Sequence, residues 1–580
     1  MSQKPYEGSS RRLVLAFDCG TTFSGISYCL LNPGEVPKIC NITRYPGQEH
    51  VAGASKIPSV LCYDKQGRLR CAGAEALLPE NVLNAEDEEW LKVEWFKVRM
   101  RPKSMPSALK TSTLPPLPPN KTLIQVFADF FRYLLSCAEK FIKETHATVV
   151  KRWDDLLANA VFVIGHPNGW EGTQQSMLRK AAIMGGLAPD TPEGRSRVKF
   201  VSEGEASLHF CLREGVDRKG FIIADLGGGT LDFSAYQVTG VKPLQAEEVA
   251  AAICHLEGST LVTLRAEGYI THKLRDSVYG AKEHVKQIAN CFDESTKKTF
   301  RTENDVCLVP FGSLADKDLD HGIRSGKLKL TGTEVASFFA PAIKATVDAI
   351  LQQIKESKIP ISMIYLVGGF SASPYVTTQL KEQLAKHKIS VASPDGQTAK
   401  AVADGALSFY LDQFVALRIA KISYGTKYHW KYDSNNSEHK KRSKSVWTRP
   451  SGEKLVKGGF RTVLKKGTSV SKETEFRSGY GGQVTRMEDI DNVRLDVRAF
   501  YGPGSPPEWM DLIEKRHVRS LCTVTVDKSI VKNIAQRSTS KSGGVYFWYN
   551  YDLIINFGGT EMTAQILWNE GTSTHKVERR

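Results

Sequence analysis

At 580 residues, with 41% hydrophobic and 24% charged positions, the chain has the composition of a soluble globular protein with material for several cores, which excludes a disordered or fibrous chain. Its formal charge of +15 is uneven: residues 415–580 hold 29 Lys and Arg against 17 Asp and Glu and so carry +12 of it, leaving the first 414 residues near neutral. Eleven scattered cysteines with no C-x-x-C pair fit reduced intracellular thiols and exclude a disulfide framework or a zinc knuckle.

The N-terminal residues lack the apolar run of a secretory signal, and residues 1–11 read as disordered. Residues 13–30 form an apolar hairpin around Asp18, Gly20, Thr21 and Thr22, and a further strand follows near Pro58. Six prolines (102, 106, 115, 116, 118 and 119) mark residues 101–121 as an exposed loop. Leu123, Val126, Phe127, Phe130 and Leu134 then recur at helical spacing, in a segment too short and too interrupted by Gln125, Asp129 and Arg132 to span a bilayer. A buried strand over 160–164, a helix over 173–184 closed by Gly185 and Gly186, a strand over 198–201 and a helix beginning near Glu203 lead to a second hairpin at 221–238. Residues 255–290, 331–357 and 398–413 read as helices, and 361–367 as a strand ending in Gly368 and Gly369. Alternating strands and helices predict α/β layers, and the hairpins make the sheets mixed. Beyond residue 415, short β-rich runs between Gly, Ser and Asp turns predict an all-β sandwich, with the basic cluster Lys440, Lys441, Arg442 and Lys444 in a loop near 433–455.

The two hairpins repeat one chemical pattern. Each has an apolar strand, an Asp at its end, a Gly/Thr turn and a second strand: Asp18 with Gly20, Thr21 and Thr22, then Asp225 with Gly227, Gly228, Gly229 and Thr230. Tight glycine turns present backbone N–H groups to phosphate, Thr hydroxyls donate to its oxygens, and the adjacent Asp suits a magnesium ion carrying those phosphates, directly or through water. Two copies suggest two related lobes closing on one nucleotide. A third glycine segment, Gly368 and Gly369 before Pro374, joins a strand to a helix start, where a base or sugar can pass close to the backbone. The P-loop and dinucleotide fingerprints are absent.

The order of these segments resembles the actin-like ATPase superfamily, and within it the 70-kilodalton heat-shock chaperones. Residues 17–24 and 224–234 are similar to that family's two phosphate segments; residues 57–60, 95–99, 200–206, 366–370 and 400–406 match further motifs in the family's order, so the likeness covers about residues 12–413. It looks most like the divergent branch that has the ATPase domain without the ordinary substrate-binding half. The resemblance implies an α/β fold of two ribonuclease-H-like lobes, about 12–220 and 221–414, followed by a basic β-rich domain over 415–580. It implies ATP or ADP with Mg2+ as cofactors and slow ATP hydrolysis, with lobe closure controlling the C-terminal domain.

Carried over residue by residue, Asp18 and Asp225 orient the waters of the metal. Thr21, Thr22 and Thr230 with the glycines hold the phosphates. Lys97 stabilises charge on the γ-phosphate and the attacking water, and Glu203 and Asp232 place that water or the metal's shell. Partners would be nucleotide and client or co-chaperone proteins, with no membrane and no specific nucleic acid, in the cytoplasm with nuclear entry open to it. The chain also departs from the pattern. Ala372 stands where the family has an Arg stacking on adenine, only Lys282 and Lys286 offer themselves as the basic helix beside that base, and the acidic–apolar linker near 415 is missing. A nucleotide-sensing scaffold with little turnover is therefore the alternative, ahead of a small-molecule kinase of the same superfamily and of a nucleic-acid binder acting through residues 440–444.

Overall fold

A computed structural model describes residues 4–579 apart from 52, 103–104, 106–113, 215–219, 242–243, 395–397, 558–560 and 571–572. Pro106 of the proline-rich segment therefore lies outside the described residues. The chain separates into two compact units, Met1–Val415 and Ala416–Arg580.

The first unit is a duplication. Strands β1 (Arg12–Asp18), β2 (Phe23–Leu31), β3 (Cys40–Asn41), β4 (Val161–His166) and β5 (Val198–Ser202) lie in the order β3-β2-β1-β4-β5. The β1/β2 and β2/β3 pairs are antiparallel, and the β1/β4 and β4/β5 pairs are parallel. Strands β6 (Gly220–Leu226), β7 (Leu231–Val241), β8 (Leu244–Glu248), β9 (Ile361–Val367) and β10 (Ser390–Ala392) repeat that order and those directions as β8-β7-β6-β9-β10. This is the two-lobed, ribonuclease-H-like α/β arrangement expected of an actin-like ATPase. The innermost strands are buried on both faces, which is why β1, β4 and β6 read as unbroken apolar runs rather than alternating ones.

Helices fill the faces. The short α1 (Phe96–Arg99) precedes α2 (Leu123–Thr145), which starts at a capping box: Thr122 accepts from the Gln125 backbone while the Gln125 side chain satisfies Thr122. Its apolar stripe packs Phe127, Phe130 and Phe131 against Phe17 and Phe162 of the first sheet. Helix α3 (Glu203–Glu214) touches both sheets, with Ala206 packed among Val14, Ala16 and Val163 and Leu208 among Phe221 and Ile223. The second lobe carries α4 (Ser259–Lys273), α5 (Lys282–Cys291), α6 (Gly332–Glu356), α7 (Pro374–Ala385) and α8 (Ala401–Asp412). The helix expected over 255–290 is thus two helices, preceded by a short strand, Ile253–His255, and parted by turns between 274 and 281. Helix α8 crosses α3 so closely that a Cβ on Gly405 would stand 1.7 Å from the Ala206 carbonyl oxygen.

Residues 4–11 differ from the disorder expected of them. Tyr6 exchanges backbone hydrogen bonds with Glu35 and Gly34 and packs on the Val14–Ala16 cluster. None of the eleven cysteines is in a disulfide, and no helix among the described residues is long and apolar enough to cross a membrane.

The second unit is a β-sandwich. Strands β11 (Ser423–Lys431), β12 (Val446–Thr448), β13 (Lys454–Leu464), β14 (Glu475–Val484), β15 (Val493–Phe500), β16 (Val518–Val526), β17 (Gln536–Thr539), β18 (Val545–Phe557), β19 (Met562–Glu570) and β20 (Ser573–Arg579) form two sheets. Their orders are β12-β13-β11-β15-β16 and β14-β18-β19-β20, with β17 also pairing with β18. Val493, Leu495 and Val497 alternate inward along β15 and meet Leu553, Ile555 and Ile566 of the opposite sheet in one core. The basic cluster is not in an open loop. Asn436 caps a short helix, α9 (Ser437–Lys441), and Arg442 pairs with Glu438 at 2.7 Å and Asp511 at 2.9 Å while lying 4.2 Å over Trp509. A capping Asn after Asp433 carries that helix where composition alone suggests a loop.

Candidate functional site

The two Gly/Thr turns meet. A Cβ on Gly229 would lie 2.3 Å from Thr21 Oγ1, and one on Gly228 would lie 2.6 Å from Thr22 Oγ1. Glycine is required at both places because the facing threonines fill the space a side chain would need. The second turn is braced from behind: Gly227 N–H donates to the Thr230 carbonyl, and the Gly227 and Gly228 carbonyls accept from the first residues of α4, Ser259 and Thr260. The third glycine segment closes on the second. Gly368 has φ of +85°, and a Cβ there would meet Asp225 Oδ1 at 2.4 Å.

Together these segments line a cavity of about 510 Å³. Asp18, Gly20, Thr21, Thr22, Lys97, Glu203, Asp225, Gly227, Gly228, Gly229, Thr230, Gly368 and Gly369 all border it. Asp232 does not. It is 1% exposed, accepts from the Asn168 backbone N–H at 2.6 Å through Oδ1, and has the Cys254 and Thr230 side chains beside it. Its role is corrected to the wall behind the cavity, where Asn168 joins β7 to the start of α3 by donating to the Phe233 carbonyl and Ser234 and accepting from Gly204 N–H. Asp232 sits directly opposite Asp225 in the β6/β7 pair, so the two carboxylates share one face of the sheet and Asp232 adds to the upward pressure on Asp225.

The electrostatics are those of crowded acids. Lys97 Nζ donates to Glu203 Oε1 at 2.5 Å, with side-chain exposures of 6% and 9%. Burial, with further upward pressure from Asp232, Asp18 and Asp225, pushes the Glu203 carboxyl up to about 8 against the opposing pull of Lys97. Burial likewise raises Asp225 to about 7, helped by Asp232 and Asp18 and opposed by a hydrogen bond from Ser207 at 2.9 Å. Burial works against the charge of Lys97, yet Glu203 and Asp18 hold its ammonium above the ordinary lysine range. Lys56 ion-pairs with Asp18 from the edge of the same cavity.

Sequence reasoning missed several lining residues. Lys56 lies one residue before the matched strand motif. Asp293 comes from the π-helical turn that ends α5, and Lys297 and Lys298 from the short helical turn after it, whereas the residues expected there, Lys282 and Lys286, do not border the cavity. Lys297 ion-pairs with Asp293 and donates to Thr263 Oγ1 at 3.1 Å. The signal available was a second pair of lysines about three helical turns past the expected ones; the π-turn that precedes them is not legible in composition. Ala372 borders the cavity as the resemblance places it, and the neighbouring Ser373 hydroxyl is buried without a partner among the described residues.

Comparison with known proteins agrees with this geometry. The chain is 22% identical over 431 residues to the mitochondrial heat shock protein SSC3 of Saccharomyces cerevisiae, covering 71% of this chain and 61% of that protein. It is 20% identical over 503 residues to heat shock 70 kDa protein 12A of Homo sapiens, covering 72% of each. The chaperone protein dnaK of Cyanidioschyzon merolae is 22% identical over 437 residues, 71% of this chain and 65% of that one. Over about 70% of its length the chain is thus similar, at low identity, to heat-shock-70 proteins. No family model matches it. This heat-shock-70-like chain thus spans rather less than two thirds of the yeast relative's length, and about seven tenths of the human one.

Proposed function

We propose that the first unit of this heat-shock-70-like chain binds ATP and ADP with magnesium and hydrolyses ATP slowly. The observation that carries this reading is the convergence of two Asp-ended hairpins on one cavity, with Thr21 and Thr22 seated on Gly229 and Gly228.

In this reading Thr21, Thr22 and Thr230 donate to phosphate oxygens, together with backbone N–H groups of the two turns. Lys97 lies against the γ-phosphate and stabilises the charge that develops there, and Glu203, already bonded to Lys97, orients the attacking water and receives its proton. Burial keeps these groups out of bulk solvent, where their interactions are strongest. Asp18, Glu203 and Asp225 gather three carboxylates around the phosphate turns, a donor set whose oxygens suit the water shell of a divalent cation. Among the described residues no three His, Cys, Asp or Glu side chains converge closely enough to ligate a metal directly, so Asp225 would hold it through water. When bound, magnesium supplies neutralisation of the phosphate oxygens. We further propose that closure of the lobes on nucleotide changes what the C-terminal sandwich binds, client or co-chaperone proteins being the partners. Eleven cysteines that form no disulfide support a reducing compartment, the cytoplasm.

Titration calorimetry of the full chain with Mg·ATP and Mg·ADP tests the reading. A micromolar or tighter affinity, weakened at least about tenfold by Asp225→Asn, is expected; no heat and no thermal stabilisation by either nucleotide overturns it. Nucleotide sensing with little turnover is the second reading. Ala372, which offers no planar group to a base, and the Lys97–Glu203 pair, which engages both reactive side chains with each other, favour it. Single-turnover hydrolysis separates the two.

A further inference from the structure

Lys56 is held beside the first phosphate turn from several directions. Ile57–Pro58 pairs antiparallel with Phe23 and Ser24, Ser59 N–H donates to the Thr22 carbonyl at 2.8 Å, and the Ser24 and Ser59 hydroxyls are bonded at 2.8 Å. The Lys56 carbonyl accepts from Gln48 Nε2 at 2.8 Å. Its aliphatic stem crosses Gly25, where a Cβ would stand 3.2 Å from Lys56 Cδ. The backbone and stem are therefore positioned before any ligand arrives, and the ammonium ends on Asp18 at the cavity wall, the lysine side chain 21% and the aspartate 8% exposed.

An ammonium has three donors. Asp18 takes one, and Lys56 makes no other ion pair among the described residues, so two N–H groups are available at a cavity edge that also carries Thr21 and Thr22. Lys97, a second ammonium at this end, likewise donates to one carboxylate, Glu203, and is the more deeply buried of the two. Asp18 is one of the two carboxylates whose charge would otherwise call for a metal-borne water, and it already has a cation on a covalent tether.

We propose that Lys56 is a ligand for the nucleotide's phosphates that stands in for part of the magnesium at Asp18, so that the site retains nucleotide when magnesium is withdrawn. The proposal rests on the nucleotide reading above and deepens it. A tethered ammonium needs no third component to be present. It also removes Asp18 from the metal's reach, leaving Asp225 as the carboxylate that serves the cation.

The test is calorimetry of the full chain with ADP and with ATP, in excess Mg2+ and in excess EDTA, for the wild type, Lys56→Met and Lys56→Arg, with thermal melts confirming that each variant is folded. In the wild type, removing magnesium is expected to weaken ADP binding by no more than about tenfold. In Lys56→Met, which keeps the stem and loses the charge, the same removal should weaken it by more than about a hundredfold, whereas affinity in magnesium falls by less than about tenfold because the freed Asp18 then serves the cation. Lys56→Arg should retain magnesium-free binding. Loss of all wild-type binding in EDTA, or magnesium-free binding by Lys56→Met equal to the wild type's, overturns the role of Lys56 while leaving the nucleotide reading intact. No binding with magnesium present overturns the nucleotide reading and this inference with it.

Discussion

Lys97 and Glu203 form a buried pair, Nζ to Oε1 at 2.5 Å, between the short helix α1 and the first residue of α3. Because α3 packs on both sheets, the pair ties the lysine of one lobe's edge to the helix that both lobes share.

Lys97→Ala should abolish hydrolysis while sparing binding. Removing one preorganised charge from a phosphoryl-transfer site costs on the order of 10²–10³ in rate, so single-turnover hydrolysis should fall by that factor with the Mg·ATP dissociation constant changed less than about tenfold. Stability should fall by only about 1–2 kcal/mol, less than breaking a buried ion pair ordinarily costs, because Glu203 can take up a proton and lose its charge. Quench-flow and urea denaturation measure the two effects separately.

Gly229→Ala should damage the site without touching any charge. The new methyl would stand 2.3 Å from Thr21 Oγ1, and the two turns must part to admit it. A loss of about 1–3 kcal/mol in stability is expected from such overpacking, with Mg·ATP affinity reduced at least about tenfold by calorimetry.

Stability without nucleotide should decline as pH rises above neutrality. Glu203, raised to about 8 in the folded protein, keeps its proton where the unfolded chain has already lost it, so its contribution is lost as pH climbs through the folded value. His146, His255 and His429 are depressed and act in the opposite sense, but only below the ordinary histidine value, so the window to examine is pH 7 to 8. Across it the unfolding free energy should drop by about 1 kcal/mol from this group. Glu203→Gln should flatten that slope in urea titrations, and a wild-type stability that rises over the same window would contradict the raised carboxyl.

Two helical glycines should respond oppositely to alanine. Gly405 on α8 lies against the Ala206 carbonyl of α3, and Gly405→Ala should destabilise by about 2–4 kcal/mol because the crossing must widen. Gly268 on α4 has open space where its Cβ would be, and Gly268→Ala should stabilise by about 0.5–1 kcal/mol through helix propensity. Parallel denaturation curves of the two variants decide both.

The amino-acid sequence by itself determined the two hairpins, the Asp and the glycines that end them, the helix carrying Glu203 and the β-rich character after residue 415. Turn chemistry, apolar periodicity and strand composition are local properties, and so is the near-repetition of residues 13–30 by 221–238. Tertiary structure alone decided which charges share the cavity. Lys56 reaches Asp18 because Ile57–Pro58 pairs with β2 in one register, Lys297 borders the cavity where Lys282 and Lys286 do not because a π-helical turn intervenes after α5, and Asp232 is held behind the wall by the Asn168 backbone N–H. The same holds for Arg442, whose partner Asp511 is brought to it only by the folding of the sandwich. Each depends on a register, a crossing or a pairing between residues distant in the chain, and the identity of a residue carries no record of what will be folded against it.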